Sequence, residues 1–168
     1  PFRAIIVPPN PVTTVEQLTA LVQKTFGAAG KNDVCYLYLS THGVYDPASG
    51  QEPLLLLSDG QTENGITPAQ LEAAFDGILG TKVIILDACN SGAFIGKGLP
   101  SLPQEVHFLG DDFKVLTSSG ALEESWYWSV DDQNESGMAG QGSFYFTQAL
   151  AQSLSAAYGY PADQNRDG

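Results

Sequence analysis

The sequence has little of what defines a disulfide-rich, a nucleic-acid-binding or a membrane-spanning protein. Two cysteines among 168 residues do not form a disulfide framework. Seven basic residues against nineteen acidic ones give a net charge of −12, which argues against nucleic acid and against an anionic membrane surface as partners. No apolar run approaches the roughly 20 residues that a membrane helix needs, and no signal peptide is visible.

What is present is typical of a single globular domain. Hydrophobic residues make up 43% of the chain and aromatic residues 10%, and 168 residues can bury a sizeable core. Strand-like and helix-like segments alternate, which is the pattern of an α/β fold. The predicted strands are 2–7, 34–39, 54–57, 83–87 and 113–117, and the predicted helices are about 14–26, 68–79 and 144–157.

One predicted buried strand ends directly before a cysteine. Val83–Asp87 is an apolar run that ends in a charge, as a central parallel strand does. A polar turn from Ala88 to Gly92 follows at once, so Cys89 is predicted just past the carboxyl end of the strand, where open α/β sheets bind their ligands. A lone cysteine is more often a buried structural residue, but a polar, glycine-containing turn is not typical of core packing.

A histidine follows a second predicted strand in the same way. The apolar run 34–39, which contains Cys35, leads into Ser40-Thr41-His42-Gly43. The chain between His42 and Cys89 has room for one helical crossover between neighbouring strands. Because a cysteine nucleophile needs a group that protonates the leaving amine, the paired placement predicts a His42/Cys89 dyad, with Cys35 in the core.

These two strand ends carry a resemblance to a known family. The segments Leu37–Gly43 and Leu86–Gly92 resemble the His-Gly and Asp-x-Cys-x-Ser-Gly motifs of the caspase-like cysteine peptidases, which include caspases, metacaspases, clostripain and legumain. The stretch Thr117–Trp126, with Glu123 and Ser125, is most similar to the legumain branch. The resemblance covers nearly the whole chain.

The resemblance implies a fold, a reaction and a set of roles. The fold is expected to be a caspase-like three-layer αβα sandwich with a mostly parallel central sheet, and residues 1–160 are interpreted as that domain, truncated at both ends. The strand and helix that usually open such a domain are not found, and Thr41 stands where legumains have Asp. By resemblance, the Cys89 thiolate attacks the peptide carbonyl and His42 protonates the leaving amine. The backbone N–H groups of Gly43 and Cys89 would bind the oxyanion, and no cofactor is needed for this chemistry.

Substrate preference is predicted from the residue two positions before the cysteine. In similar peptidases this acidic residue lines the pocket for the residue before the cut bond. Asp87 therefore favours cleavage after Arg or Lys, as in clostripain and metacaspases, or after Asn, as in legumain, over cleavage after Asp. Ser118 and Ser119 are predicted to form a wall of the pocket. Asp87 can also be interpreted as a strand-end residue that caps the following turn.

Three further predictions concern loops. Lys97, flanked by glycines after Cys89, is a candidate self-cleavage site or else a solvated loop charge. His107 is predicted to be an ordinary exposed loop histidine. Residues 161–168 contain the first half of an EF-hand pattern, or else an acidic turn at the terminus. The candidate calcium ligands are Asp163, Asn165 and Asp167.

Two functions remain open from the sequence. The main prediction is a cysteine endopeptidase that acts on peptides or proteins. The alternative is a catalytically inactive caspase-like module that binds partners through the same cleft or through a completed calcium loop. An α/β hydrolase or a nucleotide binder is disfavoured because neither G-x-S-x-G nor G-x-G-x-x-G occurs.

Overall fold

The computed structural model describes residues 3–96, 99, 106–129 and 142–159. The chain divides into two compact units, Pro1–Glu123 and Glu124–Gly168. The described helices and strands of the larger unit are α1 (Val15–Phe26), β1 (Val34–Ser40), β2 (Gly43–Val44), β3 (Leu54–Ser58), β4 (Glu63–Ile66), α2 (Pro68–Ala73), β5 (Thr81–Asp87) and β6 (Phe113–Thr117). Those of the smaller unit are β7 (Tyr127–Ser129), β8 (Gly142–Phe144) and α3 (Tyr145–Ser153).

The centre of the larger unit is a parallel sheet with the strand order β1-β5-β6. Leu37 on β1 lies opposite Ile84 on β5, and Ile84 lies opposite Val115 on β6. The middle strand alternates between fully and partly buried residues, as expected for a strand that is covered on one side more than on the other. This central parallel sheet with few helices is consistent with the predicted caspase-like sandwich.

A second, antiparallel sheet has the order β2-β3-β4 and leads directly from the histidine motif. Strand β2 begins at Gly43 and pairs with β3, where Gly43 lies opposite Leu55. Strand β3 then forms a hairpin with β4, and its position confirms the strand predicted at residues 54–57. The histidine loop is therefore held between two sheets.

The two helices among the described residues of the larger unit, α1 and α2, begin directly after capping threonines. The Thr14 hydroxyl accepts a hydrogen bond from the Gln17 N–H at the start of α1. Thr67 and Gln70 form a complete capping box at the start of α2. Both helices contribute apolar side chains to the core on one face of the parallel sheet. The fully or almost fully buried members include Leu18, Val22, Cys35, Leu71, Ile84 and Leu86.

The structure differs from the sequence prediction at the ends of two helices and at one predicted strand, 2–7. Helix α2 ends at Ala73 rather than near residue 79, because the following hydrogen bonds connect residues three apart and Gly77 has a positive φ of 75°. Helix α3 ends at Ser153 rather than near residue 157. Residues 3–8 do not form a strand, and the side chains of Ile5 and Val7 are exposed.

The smaller unit pairs β7 with β8 in antiparallel fashion. The Trp128 indole N–H donates to the Gln148 side chain at 2.8 Å, which ties β7 to α3. The Tyr145 N–H donates to the Trp126 carbonyl at the start of that helix. None of the described helices combines the length and apolar character that crossing a membrane requires.

Candidate active site

Three loops meet at the carboxyl edge of the parallel sheet. Ser40 at the end of β1 lies opposite Asp87 at the end of β5, and the Thr41 N–H donates to the Asp87 carbonyl at 3.1 Å. On the other side of β5, the Ser118 N–H donates to the Leu86 carbonyl at 2.9 Å. The histidine loop, the cysteine turn and the loop after β6 therefore start side by side.

The histidine loop packs directly against the cysteine backbone. A Cβ atom on Gly43 would lie 1.8 Å from the Cys89 carbonyl oxygen and 3.3 Å from the Ala88 Cβ. No side chain fits in that space, so glycine is required where the backbones approach. The two predicted motifs are thus adjacent, with His42 exposed and Cys89 half-buried.

The antiparallel sheet fixes the direction of the histidine loop. The Leu56 N–H donates to the His42 carbonyl at 2.9 Å, and the Thr41 hydroxyl donates to the Leu56 carbonyl. Thr41 thereby fastens the loop to β3. Because hydrogen-bonded and non-hydrogen-bonded pairs alternate along an antiparallel ladder, the Gly43 N–H points away from β3.

The cysteine turn requires a left-handed residue and a second glycine. Asn90 has a φ of 56° and a ψ of 15°, a conformation that Asn tolerates better than most residues. Its N–H donates to the Glu123 carbonyl at 2.8 Å, and its side-chain amide donates to the Ala121 carbonyl at 2.9 Å. A Cβ on Gly92 would lie 2.8 Å from the Ser119 carbonyl oxygen. The loop after β6 therefore holds the turn from both of its ends.

Ser118 and Ser119 bind the cysteine turn through their hydroxyls. The Ser118 hydroxyl accepts from the Ala88 N–H at 3.0 Å, and the Ser119 hydroxyl donates to the Ala88 carbonyl at 2.9 Å. The Ser119 oxygen also accepts from the Ser91 N–H at 3.3 Å and lies 3.2 Å from the Ser91 hydroxyl. Ser91 is fully buried. These contacts indicate that the two serines position the cysteine turn.

The roles of Ser91, Asn90 and Glu123 in holding the site were not part of the sequence prediction. Their partners lie about 30 positions away along the chain, so no local pattern reveals the pairing. The only available signal was the repeated small polar pattern at two strand ends, Asn-Ser-Gly after β5 and Ser-Ser-Gly after β6. Such residues favour tight turns, which is where they lie.

Asp87 is fully buried at the end of β5, directly before the cysteine turn. Its backbone carbonyl accepts the hydrogen bond from the histidine loop. Buried carboxylates are uncommon unless another group compensates the charge, so Asp87 is an unusual residue to find at a buried strand end.

The second cysteine lies in a different environment. Cys35 is 3% exposed within the core, which confirms its predicted place. Burial, with a smaller effect of the Asp33 carboxylate, raises the pKa of the Cys35 thiol. No disulfide joins Cys35 to Cys89.

The His107 side chain is mostly buried, which corrects the prediction of an ordinary exposed loop histidine. Its side chain is 9% exposed, and Nδ1 lies 2.9 Å from a Glu72 carboxylate oxygen. The other oxygen of Glu72 accepts from the Phe108 N–H at 2.7 Å. Glu72 on α2 thus provides a hydrogen-bond partner for the His107 ring and another for the Phe108 N–H, as polar groups that are removed from water require.

Lys97 and the candidate calcium ligands Asp163, Asn165 and Asp167 lie outside the described residues. Within the part of the chain that the structure describes, no three His, Cys, Asp or Glu side chains come together as a metal site needs. The predictions for self-cleavage and for calcium therefore stay predictions.

Comparison with known proteins identifies the family. A search of curated proteins found no match for this chain. The family model described as the caspase domain matches residues 9–163, which include both loops around Gly43 and Cys89. Such membership supports a cysteine-peptidase hydrolase in general, with proteins as the class of substrate. With the match extending over nearly the whole chain and both motifs meeting at one sheet edge, the chain belongs to the caspase-domain family of cysteine peptidases.

Proposed function

We propose that this chain is a cysteine endopeptidase that uses His42 and Cys89 to hydrolyse peptide bonds. The observation that carries the proposal is the approach of the Gly43 backbone to the Cys89 carbonyl, because it supports the two side chains lying in adjoining loops. The exposure of His42 and the partial exposure of Cys89 support access for a substrate.

The proposed reaction has two steps. In the first, the Cys89 sulfur bonds to the peptide carbonyl carbon, and the C–N bond breaks as His42 gives a proton to the leaving amine. In the second, water attacks the resulting thioester and His42 accepts a proton from it; the carbon–sulfur bond breaks, which releases the carboxylic acid and restores the Cys89 thiolate beside protonated His42. The N–H groups of Gly43 and Cys89 bind the negative oxygen that forms in each step. The direction of the Gly43 N–H, away from β3, supports that role.

Asp87 is proposed to set the preference for the residue before the cut bond. A buried carboxylate under the site favours a long cationic side chain, Arg or Lys, or the amide of Asn, and disfavours Asp by charge repulsion. Ser118 and Ser119 would contribute the wall of the pocket while their hydroxyls hold the cysteine turn. Peptides with Arg, Lys or Asn before the cut bond distinguish clostripain-like cleavage after Arg or Lys from legumain-like cleavage after Asn.

Two subsidiary proposals concern processing and calcium. If the pocket accepts a basic residue, Lys97 is the basic residue nearest to Cys89 along the loop and a candidate for self-cleavage. Intact-mass analysis of wild type and Cys89→Ala tests it: a cut after Lys97 in wild type alone supports the proposal, and an active, uncut wild type contradicts it. Asp163, Asn165 and Asp167 are proposed to bind calcium once a distal ligand is supplied, which calorimetry on a longer chain measures.

The test of the main proposal is a matched set of fluorogenic peptides that differ only in the residue before the cut bond: Arg, Lys, Asn or Asp. Wild type is expected to cleave the Arg and Lys peptides, or the Asn peptide, and to leave the Asp peptide intact. Folded Cys89→Ala and His42→Ala are each expected to lose cleavage. Equal cleavage by folded Cys89→Ala would contradict the proposal, and a folded wild type that cleaves none of the peptides would favour the scaffold alternative.

A further inference from the structure

The histidine loop crosses from the parallel sheet to the antiparallel sheet in two residues. Strand β1 ends at Ser40 and β2 begins at Gly43, so Thr41 and His42 make the crossing. The direction of the His42 side chain therefore depends on how the backbone is held on each side of it.

The backbone after His42 is held by β3 and by the cysteine turn. The His42 carbonyl accepts from the Leu56 N–H at 2.9 Å. Gly43 lies opposite Leu55 on β3, and it packs so closely against the cysteine turn that a Cβ would lie 1.8 Å from the Cys89 carbonyl oxygen. These contacts fix the backbone on one side of His42.

Thr41 holds the backbone before His42 and binds both sheets. Its N–H donates to the carbonyl of Asp87, the last residue of β5, at 3.1 Å. Its hydroxyl donates to the Leu56 carbonyl in a partly buried contact. Leu56 therefore binds both residues of the crossing, Thr41 through its carbonyl and His42 through its N–H.

We propose that Thr41 is a positioning residue, whose hydroxyl holds His42 in the direction from which it protonates the leaving amine. The inference rests on the proposed peptidase function. A general acid must lie within hydrogen-bond reach of the atom that it protonates, so a small displacement of His42 lowers the rate. Without the hydroxyl, the Thr41 N–H still binds β5, but the backbone before His42 can move relative to β3.

Amide and ester substrates differ in their need for the His42 proton. With a peptide, the Cys89 sulfur bonds to the carbonyl carbon, and the C–N bond breaks as His42 gives a proton to the nitrogen. With a p-nitrophenyl ester of the same acyl group, the same C–S bond forms and the C–O bond breaks, and p-nitrophenolate leaves as a stable anion without a proton. Comparing the two substrates therefore separates proton delivery from attack by the sulfur.

The kinetic test compares kcat/KM of Thr41→Val and Thr41→Ser on the matched peptide and ester. Val has the shape of Thr without the hydroxyl, and Ser keeps the hydroxyl. Thr41→Val is expected to lose about tenfold or more on the peptide and at most about threefold on the ester. Thr41→Ser is expected to stay within about threefold of wild type on both. Equal losses on the two substrates, or full peptide activity in Thr41→Val, overturn the proposal.

Two further variants separate this role from a loss of folding. Thr62→Val changes an exposed threonine between β3 and β4 and should leave both rates at the wild-type value. Thr41→Ala leaves room for a water molecule at the Leu56 carbonyl, and it replaces Thr41→Val if that variant does not unfold cooperatively in urea. The same unequal losses on peptide and ester are expected from Thr41→Ala, and equal losses overturn the proposal.

A measurement without substrate separates failure of this inference from failure of the peptidase proposal. The chain has two histidines, so isotope-labelled histidine gives two backbone amide signals in NMR spectra, from His42 and His107. In Thr41→Val the heteronuclear NOE of His42 is expected to fall, which reports faster backbone motion, while that of His107 stays unchanged. Thr41→Ser is expected to keep both wild-type values.

The two measurements fail in different ways. A His42 NOE that is unchanged in Thr41→Val overturns the role of Thr41, whether or not wild type cleaves peptides. A folded wild type that cleaves neither the peptide nor the ester contradicts the peptidase proposal, and the NOE comparison then decides whether the Thr41 hydroxyl holds His42.

Discussion

Each end of the parallel sheet has a cysteine, and the surroundings of the two cysteines differ. At the amino end, Cys35 is buried and lies opposite Lys82, whose ammonium binds Asp112 and lies 5.3 Å from the centre of the Phe113 ring. At the carboxyl end, Cys89 is partly exposed in a turn that packs against the histidine loop. Residue type alone therefore does not distinguish a structural cysteine from a candidate nucleophile, whereas the end of the strand does.

The largest expected difference between the two ends comes from replacing each cysteine by alanine. Cys89→Ala should lower peptidase activity by about 10³-fold or more because the nucleophile is removed. Cys35→Ala should leave kcat/KM within about threefold and lower the free energy of unfolding by about 1 kcal/mol, because it removes one buried atom from the core. Peptide cleavage measures the activity of both variants, and urea denaturation measures their free energy of unfolding. Equal activity losses in the two would remove the distinction.

Replacing a glycine by alanine should also affect the carboxyl end of the sheet more than the amino end. In Gly43→Ala the new methyl group would lie 1.8 Å from the Cys89 carbonyl oxygen, so the histidine loop must move, and we expect about a 10²-fold loss of activity. Gly30→Ala before β1 is the matched control, since the nearest atom to its Cβ is 3.6 Å away. Steady-state kinetics, with circular dichroism as a folding check, compare the two. Full activity of Gly43→Ala would contradict the close approach.

A smaller effect is expected from the serines that hold the cysteine turn. Ser119→Ala removes the hydroxyl that contacts Ala88 and Ser91, and it leaves their buried backbone groups without that partner. We expect a 10- to 100-fold loss in kcat, with about 1–3 kcal/mol less stability. Ser58→Ala, at the end of β3, serves as control: its partly exposed hydroxyl contacts Gly60 and Glu63 in the β3–β4 hairpin and not the cysteine turn, so kcat should be unchanged. A normal kcat in Ser119→Ala would contradict this role, because the cysteine turn would then keep its geometry without the Ser119 hydroxyl.

The smallest effect on activity is expected at the amino end. Asp112→Asn removes the carboxylate that binds the buried Lys82 ammonium, so stability should fall by about 1–2 kcal/mol, with kcat/KM unchanged. The loss is modest because Asp112 is half exposed and solvent screens the pair. Denaturation in urea measures the difference in the free energy of unfolding. A lower kcat/KM in the folded variant would contradict a purely structural role.

The same pair has a defined pH dependence. The hydrogen bond from Lys82 holds the pKa of Asp112 below its usual value. Because the folded-state pKa is depressed, the stabilisation is complete above the carboxyl pKa of the unfolded chain and is lost as pH falls through the folded-state value. The stability difference between wild type and Asp112→Asn should therefore shrink in acid. A difference that is constant down to strongly acidic pH would contradict this cause.

The sequence predicted those features that depend on neighbouring residues. Apolar runs that end in polar turns located β1, β5 and β6 to within a few residues, because strand burial is visible in the local pattern. The second predicted helix, 68–79, begins where α2 begins, at Pro68 after the Thr67 cap. The placement of His42 and Cys89 at strand ends followed from the same patterns.

Features that depend on distant partners were not predictable in this way. The burial of His107 depends on Glu72, on another element of the chain. The hydrogen bonds of Ser119 with Ala88 and Ser91 join two strand-end loops, and only the register of β5 with β6 brings those loops together. Segment 3–8 contains β-branched residues yet forms no strand, since β propensity alone does not provide a pairing partner.

The most direct measurement of the central claim is covalent labelling with peptide probes that carry Arg, Lys or Asn before an electrophilic ketone. Wild type is incubated with each probe, and the adduct is located by mass spectrometry of the digested protein. The account predicts a single adduct on Cys89 from at least one probe, none on Cys35, and none in folded Cys89→Ala. An adduct on Cys35, or a folded wild type that reacts with none of the probes, would contradict it.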